Sequence, residues 1–259
     1  MRTKEQTLQA LVEMSRALGD PSKEYVLLGE GNTSSCLDEQ TFFVKASGQQ
    51  LGSIGPEGFV EVRTRPVLEM LEGGELSYQQ VHDGLMAARV DPQGSYKPSV
   101  ETLFHAFLLS LPGIEFVGHT HPVAVNSLLC ARDAKEWVYG SIFPDQIVYC
   151  GLHPVYIDYV DPGLILARAL REHVDAYLTE HGEVPKVILL QNHGLVAIGK
   201  SGREVLDITA MYVKTARVLM GTHAFGGPRF FTEAQAERLH TRPDEEYRRQ
   251  IAEHWQRQE

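Results

Sequence analysis

Hydrophobic residues along this chain switch between two periods, and the switches mark its elements. Leu8, Leu11, Val12 and Leu18 fall near helical spacing, so residues 3–18 read as an amphipathic helix closed by Gly19-Asp20-Pro21. Tyr25-Val26-Leu27-Leu28 reads as a strand, followed by the small-residue turn Gly29-Glu30-Gly31-Asn32-Thr33-Ser34-Ser35. After the turn Asp38-Glu39-Gln40, a second strand covers Thr41-Phe42-Phe43-Val44-Lys45 and runs into Ala46-Ser47-Gly48. The two strands make a β-meander whose loops are rich in Gly, Ser, Thr and Asn. Phe59-Val60-Glu61-Val62 predicts an edge strand, and residues 66–72 and 78–88 predict short helices. A stronger helix covers 100–111, where Val100, Leu103, Phe104, Phe107, Leu108 and Leu111 share one apolar face.

The second half alternates in the same way. Ile114-Glu115-Phe116-Val117 reads as a short buried strand, and Val123 to Cys130 as a helix. Ile147-Val148-Tyr149-Cys150 and Val155-Tyr156-Ile157 read as strands. Residues 161–180 form a helix opened by Asp161-Pro162, an N-cap followed by proline. Val187 to Leu190 is a buried strand, Gln191-Asn192-His193-Gly194 a tight turn, and Leu195 to Ile198 a returning strand. A long helix spans 203–220, and the polar tail from about Gly226 ends in helical pieces. There is no strict βαβ repetition, and several strands pair through short turns. This order predicts a single domain over residues 1–259, a three-layer α/β/α sandwich on a mixed, largely antiparallel sheet.

Composition narrows the function. A formal net charge of −10 argues against a nucleic-acid partner, which needs a basic face. It leaves anionic substrates open, because a local site can be positive. Cys36, Cys130 and Cys150 are few and widely spaced; they form no disulfide framework and no C-x-x-C motif and read as core fillers, so a reducing cytoplasm is expected. Met1 to Ser15 lacks the basic-then-apolar order of a secretory leader, and no apolar run reaches membrane-spanning length.

The chemistry centres on Gly118-His119-Thr120-His121-Pro122. Residues two apart in extended chain point the same way, so His119 and His121 can grip one divalent metal. A pair of histidines on the solvent face of a strand has the same spacing. His193 is a third candidate ligand, since it too follows a buried strand directly; its other reading is a hairpin cap. Three protein ligands with an open position make the catalytic zinc arrangement. Behind the N-cap Ser99, Glu101 sits in the first turn of the 100–111 helix, as a capping glutamate or as a general acid/base beside the metal. His105, one turn on, shares its face and reads as a packed histidine. The other histidines (82, 153, 173, 181, 223, 240 and 254) read as surface. Three small-residue places offer amide donors to an anion: Gly31 to Ser34, Ser47-Gly48 with Lys45 nearby, and Pro98-Ser99-Val100. Beside a metal site they suggest a small phosphorylated substrate.

With G-x-G-N-T-S, K-A-S-G, P-S-x-E, H-T-H-P and Q-N-H-G in that order, the chain resembles the class II aldolase/adducin family from about residue 5 to residue 225. The stretches 98–105 and 190–194 look most like the aldolase part of rhamnulose-phosphate aldolase/lactaldehyde dehydrogenase proteins. The resemblance implies that His119, His121 and His193 bind zinc (or cobalt or manganese) and that Glu101 is the acid/base. It implies that Asn32, Thr33 or Ser34, Ser47, Gly48 and Ser99 line a phosphate site. It also implies a homotetramer with active sites at subunit interfaces and cleavage of a ketose 1-phosphate to dihydroxyacetone phosphate and an aldehyde. The alternatives are a dehydratase (methylthioribulose-phosphate dehydratases share part of the pattern), an epimerase, a decarboxylase or a non-catalytic adducin-like assembly domain. Two positions depart from fuculose-phosphate aldolases: Val100 replaces a second serine, and Ala46-Ser47-Gly48 replaces P-T-G. Tyr139 is a candidate for the tyrosine those enzymes use to protonate the leaving group.

Overall fold

A computed structural model describes residues 2–243. Its elements are α1 (Lys4–Leu18), β1 (Asn32–Cys36), β2 (Thr41–Lys45), β3 (Phe59–Arg63), α2 (Thr64–Glu72), α3 (Tyr78–Ala88), α4 (Thr102–Leu109), β4 (Phe116–Thr120), α5 (Val123–Leu129), α6 (Ala134–Val138), α7 (Pro144–Cys150), β5 (Val155–Ile157), α8 (Leu164–His181), β6 (Val187–Leu190), β7 (Gly194–Gly199), α9 (Gly202–Thr222) and α10 (Glu233–His240). The strands make one sheet in the order β3-β2-β1-β4-β7-β6-β5. Every neighbouring pair is antiparallel except β5 and β6.

Strand alternation sends residues to both faces, and helices cover each face. Phe43, Phe116, Leu195 and Ala197 pack with Leu11 and Leu18 of α1, Val125 and Leu129 of α5, and Ile208 and Tyr212 of α9. Their neighbours Phe42, Val44, Val117, Val196 and Ile198 pack on the other face. Their partners there are Val67 and Leu71 of α2, Leu85 of α3, Leu103 and Leu108 of α4, and Leu166 and Leu170 of α8. The architecture is therefore the expected three-layer α/β/α sandwich on a mixed, largely antiparallel sheet.

Four local expectations are corrected. Tyr25 to Leu28 is not a strand: Glu30 N–H closes a turn on the Leu27 carbonyl, and Leu28 has φ 52° and is 83% exposed. The strand is the small polar run that follows it, Asn32–Cys36, set between β2 and β4. Its short side chains let α1 and α4 approach closely, and its hydroxyls find partners: Thr33 Oγ1 with Ser15 Oγ (2.7 Å) and Ser34 Oγ with His105 Nδ1 (2.6 Å). The run Ile147 to Cys150 belongs to helix α7, opened by Pro144; a four-residue apolar run has no period that separates strand from buried helix. Helix α4 has no exposed face, because all eight of its residues are buried between the sheet and α2 and α8.

The thiols are also not uniformly core. Cys150 is buried, and burial pushes its pKa up to about 12; Cys36 is half-buried and Cys130 is exposed. No surface-assigned histidine among the described residues is fully buried; His254 and the acidic-basic run 244–259 lie outside the described residues.

Candidate metal centre

The centre is built where β4, the β6–β7 turn and the start of α4 meet. His119 is inside β4, not in a loop after it, and is opposite Asn32 of β1 and Val196 of β7. His121 follows the strand end, with its backbone N–H on the Tyr25 carbonyl at 2.9 Å. His193 comes from the turn after β6, where Asn192 adopts φ 54°. That turn is held by the Asn126 side-chain amide, which donates to the His193 carbonyl at 3.0 Å. Gly194 is required here on steric grounds: a Cβ would lie 2.5 Å from the Thr120 carbonyl and 2.7 Å from the His121 ring.

The three imidazoles converge. His119 Nε2 is 3.0 Å from His121 Nε2 and 3.3 Å from His193 Nε2. One ligand nitrogen from each lies within 4.8 Å of the others, the sole grouping of this kind among the described residues. His119 Nδ1–H donates to the Leu195 carbonyl at 3.1 Å, which leaves its Nε2 lone pair facing the other two rings. Burial, followed by the neighbouring imidazoles, lowers the pKa of His119 and of His121 to about 3, so both rings are neutral. Three imidazole nitrogens packed this closely, with the proton of His119 committed elsewhere, suit a divalent cation. Neutral imidazole is the form that ligates one. Glu30 Oε1, 4.0 Å from His121 Nδ1, faces the outer nitrogen of that ring and is a contact the sequence did not signal.

Glu101 completes the cluster. It is the N-cap of α4 rather than a first-turn residue, and its own backbone N–H donates to Ser99 Oγ at 3.3 Å. Its side chain is nearly buried, with Oε1 3.4 Å from His193 Nε2 and Oε2 3.7 Å from His119 Nε2. Asn32 Nδ2 donates to Oε2 at 2.5 Å. His105 is fully buried behind them.

The six expected phosphate residues separate into two groups. Ser47, Gly48 and Ser99 sit on adjoining loops, tied by the Ala46–Pro98 bridge and by Ser47 N–H to the Lys97 carbonyl (2.8 Å). Asn32, Thr33 and Ser34 are buried in β1. Thr33 faces α1 and Ser34 faces α4, so their hydroxyls point to opposite sides of the sheet and are already bonded. The picture of one donor loop at 31–34 therefore fails, because these residues are ladder-paired strand. Lys45 is buried under the open group, its Nζ donating to the Gln49 carbonyl (2.6 Å) and the Gly29 carbonyl (3.3 Å). Burial lowers its pKa to about 8 against the opposing pull of Glu101, which leaves it largely charged at neutral pH. Tyr139 is 44% exposed, beside Tyr156.

The family pattern described as Class II Aldolase and Adducin N-terminal domain matches residues 9–220, and the chain belongs to that family. A relative from Bacillus subtilis, described as the uncharacterized oxidoreductase YuxG, is 28% identical over 218 residues, 78% of this chain and 29% of the relative. A methylthioribulose-1-phosphate dehydratase from Picosynechococcus is 35% identical over 106 residues, 40% of each chain. This chain thus spans well under half of both. A 3-oxo-tetronate 4-phosphate decarboxylase from Haemophilus influenzae is 25% identical over 236 residues, covering 90% of this chain and 96% of that protein. Among solved structures, the N-terminal class II aldolase domain of a Thermoplasma acidophilum protein is 27% identical with a TM-score of 0.65, over 85% of this chain and 96% of that one. An L-fuculose 1-phosphate aldolase shares the fold, with a TM-score of 0.68 over 93% of this chain and 96% of that one, at 18% identity.

Proposed function

We propose that this protein is a metal-dependent carbon–carbon lyase that cleaves a ketose 1-phosphate, such as rhamnulose or fuculose 1-phosphate, to dihydroxyacetone phosphate and an aldehyde. The observation that carries the reading is the approach of the Glu101 carboxylate to three converging imidazoles. His119, His121 and His193 would hold a divalent ion, zinc first, with cobalt or manganese as substitutes. When bound, the ion supplies Lewis-acid stabilisation of the negative charge that builds on a substrate oxygen as the carbon–carbon bond breaks.

The rest is done by this chain. Glu101 returns a proton to the carbon of the dihydroxyacetone phosphate half in cleavage and removes it in the aldol direction. Its near burial keeps bulk water from competing for that proton. Asn32 holds Oε2, which leaves Oε1, on the His193 side, as the oxygen that exchanges the proton. Ser47, Gly48 and Ser99 receive the phosphate, with the Lys45 charge behind them. Leu27, Leu28 and Val123, exposed at 57, 83 and 50%, lie in the segments flanking His121, which supports a homotetramer with active sites at subunit interfaces. Free thiols and, among the described residues, no helix long and apolar enough to cross a membrane accompany a cytoplasmic assignment.

The second reading is a sugar-phosphate dehydratase or decarboxylase, favoured by the two relatives so described. Assay with rhamnulose 1-phosphate, fuculose 1-phosphate and methylthioribulose 1-phosphate separates these. Aldehyde release from either of the first two is expected. No aldehyde from any ketose phosphate would overturn the lyase reading. An adducin-like assembly role predicts protein that takes up no divalent ion on addition of zinc.

A further inference from the structure

Ser34, His105 and Asn32 form a continuous buried chain that ends on Glu101. Ser34 Oγ lies 2.6 Å from His105 Nδ1. The other ring nitrogen, Nε2, makes a short contact with Asn32 Oδ1, and Asn32 Nδ2 donates to Glu101 Oε2 at 2.5 Å. Ser34 and His105 have no exposed surface and Asn32 has 4%, so solvent cannot replace a lost partner.

The direction of every bond follows from the carboxylate end. A carboxylate accepts only, so the amide nitrogen of Asn32 must face Glu101. Asn32 Oδ1 is then turned to His105, and an acceptor there requires Nε2 to carry the proton. The ring is neutral, since burial lowers its pKa to about 3, and a neutral imidazole has one N–H. Nδ1 is therefore an acceptor, and the Ser34 hydroxyl donates to it. The amide of asparagine is nearly symmetric in shape, so packing alone does not select its orientation. A flipped amide would present Oδ1 to the carboxylate and push it away. The N–H of His105, facing Oδ1, adds a second restraint against the flip.

We propose that His105, in its Nε2–H tautomer with the Ser34 hydroxyl donating to Nδ1, is a positioning residue that helps fix the amide of Asn32 and, through it, the aim of the Glu101 carboxylate. This rests on the reading of Glu101 as the proton-transfer group. It gives Asn32 and Ser34 a task other than contact with phosphate. Helix α4 supplies both ends of the device: Glu101 caps it, and His105 lies one turn along, its backbone N–H on the Glu101 carbonyl at 3.3 Å.

Two measurements test it. Histidine-selective nitrogen NMR of the unaltered protein reads the tautomer directly: an Nε2–H form for His105 at neutral pH is expected, and an Nδ1–H or doubly protonated ring overturns the proposal. The second follows exchange of the C3 protons of dihydroxyacetone phosphate with deuterium oxide, in which Glu101 takes a proton from carbon and, after exchange, returns a deuteron. His105→Phe keeps the ring volume without an N–H, and His105→Asn places its amide at the level of Nδ1. Both are expected to slow exchange on the order of 100-fold, the cost of a misaimed group, at unchanged zinc content and an unchanged saturation constant for dihydroxyacetone phosphate. His105→Gln restores a donor at the level of Nε2 and recovers most of the rate. Wild-type exchange in His105→Phe, or His105→Gln no better than His105→Asn, overturns the proposal.

Glu101→Gln separates the two readings. If it exchanges at the wild-type rate, the assignment of Glu101 fails. If it is inactive while His105→Phe is not, only the positioning role fails. Should the unaltered protein exchange nothing, or His105→Phe not fold, the tautomer measurement decides alone.

Discussion

Asn32 and His119 are partners across the β1–β4 ladder. One rung of the sheet thus carries both the amide that holds Glu101 and the central imidazole of the metal candidate, and the carboxylate is set relative to the imidazoles by backbone pairing rather than by a loop. A site on paired strands holds its geometry better than one on loops.

Ligand and base substitutions should therefore separate cleanly. His119→Ala, His121→Ala and His193→Ala are each expected to lose bound zinc, read by metal analysis after dialysis. Glu101→Gln should keep the metal and lose turnover by roughly 100- to 10,000-fold, the usual range for a general acid/base. Full activity in Glu101→Gln would remove it from the mechanism.

Thr33→Val distinguishes strand from phosphate loop. Its hydroxyl bonds Ser15 on the face of the sheet opposite Glu101 and His105. The expected result is a stability loss of about 1 kcal/mol from the broken buried hydrogen bond, with KM for the sugar phosphate unchanged. A several-fold rise in KM without a stability change would restore Thr33 to the phosphate site.

Gly194→Ala probes the His193 turn. The added methyl meets backbone at 2.5 Å, so the turn must shift. A loss of about 1–3 kcal/mol is expected for overpacking, with weakened zinc binding, because the shift moves His193. Denaturant midpoints and zinc titration check both.

Metal-free protein should lose stability as pH falls. His105, His119 and His121 have folded pKa values lowered to about 3 from 6.5. Below pH 6.5 the unfolded chain takes up protons that the folded chain refuses, so unfolding is favoured progressively until about pH 3. Each such proton contributes up to about 1.4 kcal/mol per pH unit. Urea midpoints at pH 7.5 and 5.5 should fall in that order, and a flat profile would contradict neutral buried rings.

Leu28→Glu should break subunit association and slow turnover if the exposed apolar flank of His121 is covered by a second copy. Light scattering reads the mass; an unchanged mass places the interface elsewhere.

Much of the fold was legible because period follows burial. The short apolar runs in Thr41 to Lys45 and in Leu195 to Ile198, bounded by turns, and helical spacing in Leu8 to Leu18 and across 203–220, appear as β2, β7, α1 and α9. The errors fell where local pattern and environment disagree. Asn32–Cys36 is polar and small, yet it is a central strand, because the sheet and two helices close over it and satisfy its hydroxyls. Tyr25 to Leu28 is apolar, yet it is a turn that buries Tyr25 and Val26 and leaves Leu27 and Leu28 exposed.

At the candidate site, the sequence by itself determined the inventory: His119 and His121 two residues apart at a strand end, His193 after another strand, and Glu101 at a helix start. These are statements about neighbours along the chain, which local pattern carries. Only the tertiary structure decided that these strands are adjacent, with β4 paired to β7, and that three imidazoles meet within 4.8 Å beside the carboxylate. It alone decided that Asn32 and Ser34 lie in a strand and bond Glu101 and His105. Hydrogen-bond partners across 69 to 73 positions are set by sheet order and register, and no local period encodes them.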